Sequence, residues 1–392
     1  MEVIDHSYIE KNLARNDVQI SNVIRELVYS KNSDLFDRLD FNNDAIFLEP
    51  LLFSYFNYRG ANNFELGQIL WGYVDNYSKP RLITVVSNQD GVIYLPNYGY
   101  LITDQKSSLF ELRWEQGQLE LLCNGLVVKY KREDLSYILG FEVLIHEIPL
   151  LVNLFSSHDD DLISQSVTTL NNDTNLSSLR IALQKIEEYN NKYFSYLRRT
   201  VKKFHLYRGK PNSFATMKAH GIAFFNVQPN DGVIFFLDNI VHQCGHVIFN
   251  SITFQKDRLF KVSADTPLSY FTGDQNDSHD IYGRFHGLFT QANTNTTFDN
   301  CIDRNAFEKD ELMELVGRFC SNMNRFKIAL IKLNHPNMYT SLGTKWYNYF
   351  AETYDSLYNK RKSLISEYIV SNQPYVFNFK LFKEINSVND IV

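Results

Sequence analysis

The sequence predicts an α+β fold with N-terminal helices, a central antiparallel β meander and a mainly helical C-terminal half. Three observations predict this class. Apolar residues recur at helical spacing within the first 75 residues and form short runs separated by turn residues between about 82 and 148. Beyond residue 176, helical spacing returns.

Residues on one helical face predict the N-terminal helices. Ile20, Val23, Ile24 and Leu27 stand at positions i, i+3, i+4 and i+7, which is the spacing of an amphipathic helix. A second apolar run covers residues 46–56. We therefore expect helices over most of this region.

The meander is predicted by short apolar runs at Leu82–Val86, Val92–Leu95, 98–102, 109–114, 119–122 and 126–130. Turn-forming residues separate them, in the order NQDG at 88–91, EQG at 115–117 and NG at 124–125. Asn and Gly tolerate the positive φ that tight hairpin turns require. Consecutive hairpins of this kind predict an antiparallel sheet.

A polar stretch at 156–178 is the predicted boundary between an N-terminal helical and β-meander region, 1–155, and a second region, 176–392, which together form one compact unit. In the second region, spacing predicts one long helix over 179–204, strands at 222–227 and 233–237, and helices over 309–333 and 342–369. A basic run that includes Lys203, flanked by His205 and His220, is interpreted as a solubilising surface; the alternative is a binding surface for an acidic leader peptide.

Composition excludes several classes of protein. Among 392 residues, 44% are hydrophobic and 15% aromatic, which excludes a disordered or low-complexity protein. A net charge of −6 argues against a general nucleic-acid binder, and no apolar run is long enough to cross a membrane. Four scattered cysteines and a start without signal-peptide features lead us to expect a cytoplasmic protein with reduced thiols.

The most informative segment is the apolar helical run 237–248, which carries His242 and His246 one turn apart. Imidazoles at i and i+4 lie about 6 Å apart at Cβ and can bind one metal ion. Zinc, iron, copper and nickel all accept such ligands. The alternative is a chance pair of histidines. Gly245, a poor helix former, indicates close approach by another element or a cofactor.

The pair is similar to the HExxH motif of zinc peptidases, but Gln243 stands where the general base would be. An amide has no basic form near neutral pH, so hydrolysis by the usual mechanism is disfavoured. Oxygen activation at a non-haem iron, which needs no protein base, is the leading case. A third ligand is then needed, and His286, in an apolar context at a predicted helix start, is the candidate. The alternative for His286 is a core histidine bonded to a backbone carbonyl.

Ordered elements over most of the sequence resemble those of the HExxH-type peptide β-hydroxylases, which are iron- and 2-oxoglutarate-dependent enzymes of ribosomal peptide natural-product pathways. The similar elements are YLPNYG at 94–99, GVI at 232–234 leading into 237–248, GRFHG at 283–287, and the segments 325–330 and 340–343. The sequence departs from the family in having HQxxH for HExxH, and no obvious basic residue precedes GRFHG; His279 stands there.

This resemblance implies that His242, His246 and His286 bind Fe(II), and that 176–392 is the catalytic, metal-binding region. It also implies 2-oxoglutarate as cosubstrate and a ribosomal precursor peptide, rather than nucleic acid or membrane, as partner. The distal carboxylate of 2-oxoglutarate needs a cation, for which Arg284 is the first candidate and Arg325 the second.

We therefore expect a peptide-oxidising iron(II)/2-oxoglutarate oxygenase whose product is a hydroxylated or cross-linked side chain. A second hypothesis, motivated by Gln243, is a catalytically degenerate peptide-binding subunit of the same fold. A third is a zinc hydrolase that uses another base, such as Glu311 or Glu314.

Overall fold

A computed structural model describes residues 3–58, 64–156, 168–169, 173–209, 212–275, 277, 279–374 and 376–386. It confirms the α+β class, with helices first, strands in the centre and helices again in the C-terminal half. Most of the predicted boundary segment at 156–178 lies outside the described residues.

The N-terminal helices are α1 (His6–Lys31), α2 (Ser33–Phe36), α3 (Asp44–Phe47), α4 (Pro50–Asn57) and α5 (Leu66–Leu70). In α1, Ile20 and Ile24 are buried, whereas Val23 and Leu27 are 47% and 40% exposed. The buried stripe is therefore narrower than the predicted one. It consists of residues four positions apart, Ile20, Ile24 and Val28.

The meander contains β1 (Leu82–Val86), β2 (Val92–Leu95), β3 (Gly99–Ile102), β4 (Leu109–Glu115), β5 (Gln118–Cys123), β6 (Leu126–Val128), β7 (Lys131–Glu133), β8 (Ser136–Ile138) and β9 (Phe141–Leu144). Its strands pair antiparallel in the orders β1-β4-β5-β6, β2-β3-β7 and β8-β9. Gln116, Gly117, Asn124 and Gly125 have positive φ, as the predicted hairpin turns require.

The elements that follow are α6 (Pro149–Ser156), β10 (Thr168–Thr169), α7 (Asp173–Tyr189), α8 (Asn191–Thr200), β11 (Lys203–Arg208), β12 (Phe214–Ala215) and β13 (Ile222–Asn226). The prediction of one helix over 179–204 is wrong. Asn190 interrupts it, because its side chain binds the Thr297 hydroxyl and accepts from the amide of Tyr193. Phe204 lies in β11, which pairs parallel with both β9 and β13.

The C-terminal half contains α9 (Val233–Ile252), α10 (Ser269–Thr272), α11 (Ile281–Asp303), α12 (Lys309–Lys332), α13 (Ser341–Glu367) and α14 (Phe379–Asn386). The predicted strand at 233–237 is wrong, since these residues form the first turns of α9. A short apolar run fits either a buried strand or a buried helix, and this one continues at helical period to Ile252. No helix among the described residues is both long and apolar enough to cross a membrane.

The protein divides into two compact units that are not contiguous in sequence. One combines 1–13, 174–199 and 229–392, and the other combines 14–173 and 200–228. The predicted division into 1–155 and 176–392 stays a prediction. The polar features that follow each lie within one unit.

The unit formed by 14–173 and 200–228 encloses a charged network centred on Lys203. The ammonium lies 2.6 Å from Glu142, 3.1 Å from Glu49 and 2.9 Å from the Tyr94 hydroxyl. Tyr94 donates to Glu142, and Tyr73 donates to Glu49. The Lys203, Glu49 and Glu142 side chains are at most 5% exposed, so Lys203 does not belong to a solubilising surface as the sequence suggested.

The other unit has an aromatic core around Phe249 of α9. Its ring contacts Phe289 at 5.0 Å, Trp346 at 5.2 Å and Phe350 at 6.1 Å between ring centroids. These partners come from α11 and α13, so one residue of α9 anchors two neighbouring helices.

We expect Lys203→Met to lower the free energy of unfolding by about 3–5 kcal/mol, because two buried carboxylates lose their common cation. Urea denaturation measures this change. Lys383→Met removes an exposed pair with Asp310 and serves as the control, with little expected effect. Equal midpoints for the two variants would contradict a structural role for the Lys203 network.

We expect stability to fall between about pH 6.5 and pH 4. Burial lowers the pKa of His205 and of His220 to about 4, so in this window only the unfolded protein takes up their protons. Each contributes up to about 3 kcal/mol, fully present above the unfolded pKa and lost as pH falls through the folded one. His220→Gln should flatten the pH dependence of the urea midpoint, whereas a substitution at exposed His6 should not.

Candidate metal centre

The polar face of α9 carries Asp238, His242 and His246 at positions i, i+4 and i+8. The opposite face, which includes Leu237, Ile240, Val241, Cys244 and Ile248, is fully buried, as the sequence predicted. Three polar side chains in one stripe therefore lie on successive turns of a helix held by its apolar side.

His286 is placed by the start of α11. The Asp280 side chain accepts from the amide of Gly283 and caps the helix, so that His286 stands in its second turn. His286 Nδ1 lies 3.0 Å from the carbonyl oxygen of Gly283. If Nδ1 donates to that carbonyl, the lone pair of Nε2 is free to bind a ligand.

The structure brings His242, His246 and His286 together. The ring centroids of His242 and His246 are 5.0 Å apart, and those of His246 and His286 are 4.2 Å apart. Each histidine is partly buried. The sequence prediction that these three residues share one location is consistent with this arrangement, and their role as metal ligands stays a prediction.

Close packing of α9 on α11 makes this contact possible. A Cβ on Gly245 would lie 3.1 Å from Cγ2 and 3.3 Å from Cα of Thr290, so a larger residue would separate the helices. The sequence predicted that another element or a cofactor approaches Gly245, and the element that does so is α11. Gly245 neighbours His246, and Thr290 stands one turn after His286, so the crossing point lies beside the imidazoles.

Two tyrosines support the histidine helices. Tyr193 of α8 donates to the carbonyl oxygen of Val241 at 2.7 Å, beside His242. Tyr282 stacks on His286 with ring planes only 1° apart, and its hydroxyl donates to Asn250 Oδ1 at 2.7 Å and contacts the Thr253 hydroxyl at 2.8 Å. The sequence analysis missed both residues. Tyr282 could have been selected, because it stands one helical turn before His286 and therefore on the same face of the helix.

The three imidazoles favour the neutral form. Burial lowers the pKa of His286 to about 4. Burial also lowers the pKa of His246 well below its usual value, and the neighbouring His286 and His242 rings lower it further. Burial lowers the pKa of His242 too, against the opposing effect of the Asp238 charge. Neutral imidazole is the form that binds metals.

The residues fit a metal ion in the kind of donor atom that they supply. His246 Nδ1 is buried and has no hydrogen-bond partner, although buried polar atoms normally have one. Two imidazoles bound at about 2.1 Å to one ion have centroids about 5 Å apart, close to the separations found here. In the part of the protein that the structure describes, however, no three His, Cys, Asp or Glu side chains stand ready to hold one ion. Ligation therefore requires the imidazoles to turn toward a common point.

The two predicted cosubstrate residues differ in their surroundings. Arg284 makes contacts of 3.3 and 3.1 Å with both oxygens of the buried Asp277, which also binds Lys332 and His279. Arg325 of α12 lies close enough to His242 to lower the pKa of that imidazole. Arg325 also donates to the carbonyl oxygen of Pro374 at 2.8 Å, so both arginines already have partners.

Other residues near the pair bear on the chemistry. Burial raises the pKa of the Cys244 thiol well above its usual value, so Cys244 is a core residue rather than a thiolate ligand. Glu314 is engaged by Arg318 at 2.8 Å, and Glu311 is exposed. The sequence analysis did not select Asp238. The only signal for it in the sequence is its position one turn before His242.

Comparison with protein-family models finds no match to this sequence, and comparison with curated proteins finds no match either.

We expect Gly245→Leu to lower the free energy of unfolding by about 1–3 kcal/mol, because the added side chain must enter the contact with Thr290. Thermal or urea denaturation measures the loss. Gly287→Leu is the matched control on α11, since an added Cβ there meets no atom within 4 Å and leucine favours a helix. If Gly245→Leu is as stable as Gly287→Leu, the close crossing of α9 and α11 is incorrect.

Proposed function

We propose that this protein is an iron(II)/2-oxoglutarate-dependent oxygenase that oxidises a carbon–hydrogen bond in a side chain of a ribosomally synthesised peptide. The observation that carries the proposal is the cluster of three partly buried imidazoles, His242, His246 and His286, on two tightly packed helices. Three neutral histidines form a donor set suited to a divalent transition metal.

The protein's own groups would hold iron through these imidazoles. The carbonyl of Gly283 fixes the tautomer of His286, and the stacked ring of Tyr282 restricts its rotation. His246 contributes a buried nitrogen that lacks any other partner. When bound, iron with 2-oxoglutarate and O₂ supplies the oxidising power for cleavage of the carbon–hydrogen bond.

Arg284 and Arg325 are the two residues we propose for the distal carboxylate of 2-oxoglutarate. A guanidinium matches a carboxylate with two parallel hydrogen bonds. Each guanidinium already has a partner in the protein, which is Asp277 for Arg284 and the carbonyl oxygen of Pro374 for Arg325.

Gln243 separates this proposal from peptide hydrolysis. Its amide cannot take a proton from a metal-bound water, and the alternative base Glu314 is engaged by Arg318. Oxidation at iron needs no protein base at this position, so the substitution removes nothing that the proposed reaction uses.

The peptide substrate and the cytoplasmic setting belong to the proposal through the family resemblance. Reduced conditions maintain ferrous iron, and the mild net charge of −6 agrees with a peptide partner. A catalytically degenerate peptide-binding subunit is the second candidate. The departure from the family at Gln243 motivates it.

Anaerobic titration of the purified protein with Fe(II) tests the metal site. We expect wild type to bind one equivalent, and His242→Ala, His246→Ala and His286→Ala to weaken binding by more than the roughly 10- to 100-fold typical of a lost supporting residue. His335→Ala, outside the cluster, is the control. Equal Fe(II) affinity in wild type and all three variants would exclude this centre.

Turnover separates the two candidate functions. With Fe(II), O₂, 2-oxoglutarate and short precursor peptides encoded beside the gene, we expect peptide-dependent formation of succinate and a peptide product heavier by 16 Da or lighter by 2 Da. Iron binding without succinate would favour the degenerate subunit.

A further inference from the structure

The stripe of α9 that carries the two histidines begins with Asp238, and α12 holds this residue. Arg318 Nη1 donates to Asp238 Oδ2 at 2.8 Å, and Asn322 Nδ2 approaches Oδ1 at 3.4 Å. Both partners lie one turn apart on α12. The carboxylate therefore links α9 to α12 one turn before His242.

Arg318 is fixed from several sides. The residue is only 7% exposed, and its Nε donates to Glu314 at 2.9 Å. Its guanidinium also lies 5.1 Å from the ring centroid of Phe377 and 5.9 Å from that of Phe235. A planar guanidinium held in this way offers Asp238 donors in a defined direction.

The Asp238–Arg318 ion pair is better explained by the orientation it gives to α9 than by a gain in folding stability. Ion pairs in protein interiors often add little net stability, because desolvation offsets the attraction, and their best-attested value is in selecting one arrangement. Metal centres need their ligands held within about 0.5 Å. The arrangement selected here fixes the rotation of α9 about its own axis, and with it the direction of His242.

We propose that Asp238 is a positioning residue, which acts through Arg318 to orient the His242 imidazole within the cluster. The contribution of Asp238 to metal affinity rests on the proposed function, whereas its effect on the orientation of the His242 imidazole does not. Asp238 is not assigned as a ligand, because Arg318 and Asn322 occupy its two oxygens.

The test uses Asp238→Ala and a matched control, Asp299→Ala. Asp299 is a carboxylate held by a guanidinium, that of Arg361, at 2.7 Å; its side chain is 7% exposed, against 16% for Asp238. It belongs to α11 but stands more than three turns beyond His286. Both variants lose one carboxylate of an ion pair in the same unit, and only one of them adjoins the histidine stripe.

The first measurement needs no metal. In full-length protein labelled with ¹⁵N-histidine, ring-nitrogen signals are assigned to His242 by their loss in His242→Ala. We expect Asp238→Ala to shift these signals and Asp299→Ala to leave them in place. Unchanged signals in Asp238→Ala, or equal shifts in both variants, would overturn the proposal. If Asp238→Ala does not fold, Arg318→Lys replaces it, with the same two outcomes.

The second measurement is titration with Co(II), whose visible absorption reports ligand geometry. We expect Asp238→Ala to weaken Co(II) binding about 10- to 100-fold, as losses of supporting residues do, and to alter the spectrum. Asp238→Asn keeps an acceptor oxygen for Arg318 and should restore most of the affinity; no restoration would overturn action through Arg318. If wild type binds no Co(II), the proposed function fails, and the nitrogen signals alone decide the role of Asp238.

Discussion

The closeness of α9 and α11 at Gly245 is the constraint on which the rest of the histidine cluster depends. His246 and His286 belong to different helices, and their rings meet only because Gly245 lets the backbone of one helix approach Thr290 of the other. Hydrogen bonds from Tyr193 and Tyr282 then hold α9 near both ends of the histidine stripe. A glycine inside a helix costs about 1 kcal/mol relative to alanine, and here that cost accompanies the approach of two imidazoles.

The Lys203 network and the histidine cluster differ in how fully their buried polar groups are satisfied. Around Lys203, each oxygen of Glu49 and Glu142 has a donor, and the ammonium has three acceptors. Such a network is complete and has no capacity left for a ligand. In the histidine cluster, His246 keeps a buried nitrogen without a partner. Buried polar groups that are left unsatisfied are costly, so this nitrogen sets the histidine cluster apart from the Lys203 network.

Local patterns in the sequence predicted the parts of the fold that depend on local physics. The hairpins follow from turn residues such as Asn124, and the apolar face of α9 follows from its period. The same period could not distinguish strand from helix at residues 233–237, because both bury short apolar runs. It also could not foresee the break at Asn190, which depends on Thr297, over 100 residues away. For the site, helical spacing placed His242 beside His246. The nearness of His286, the burial of Lys203 and the pairing of Asp238 arise from contacts distant in sequence.

The discontinuous division of the protein has a consequence for its biosynthesis. All residues of the unit formed by 14–173 and 200–228 have been synthesised before α9 begins at Val233. The histidine-bearing unit, in contrast, joins residues 3–13 to residues 174–199 and 229–386, of which the last segment carries the histidines. Its closing contacts span nearly the whole sequence, and contacts of such length slow folding. Every residue of one unit is thus made before the helices that carry the imidazoles, so the histidine cluster forms later than the segments of the other unit become available to fold.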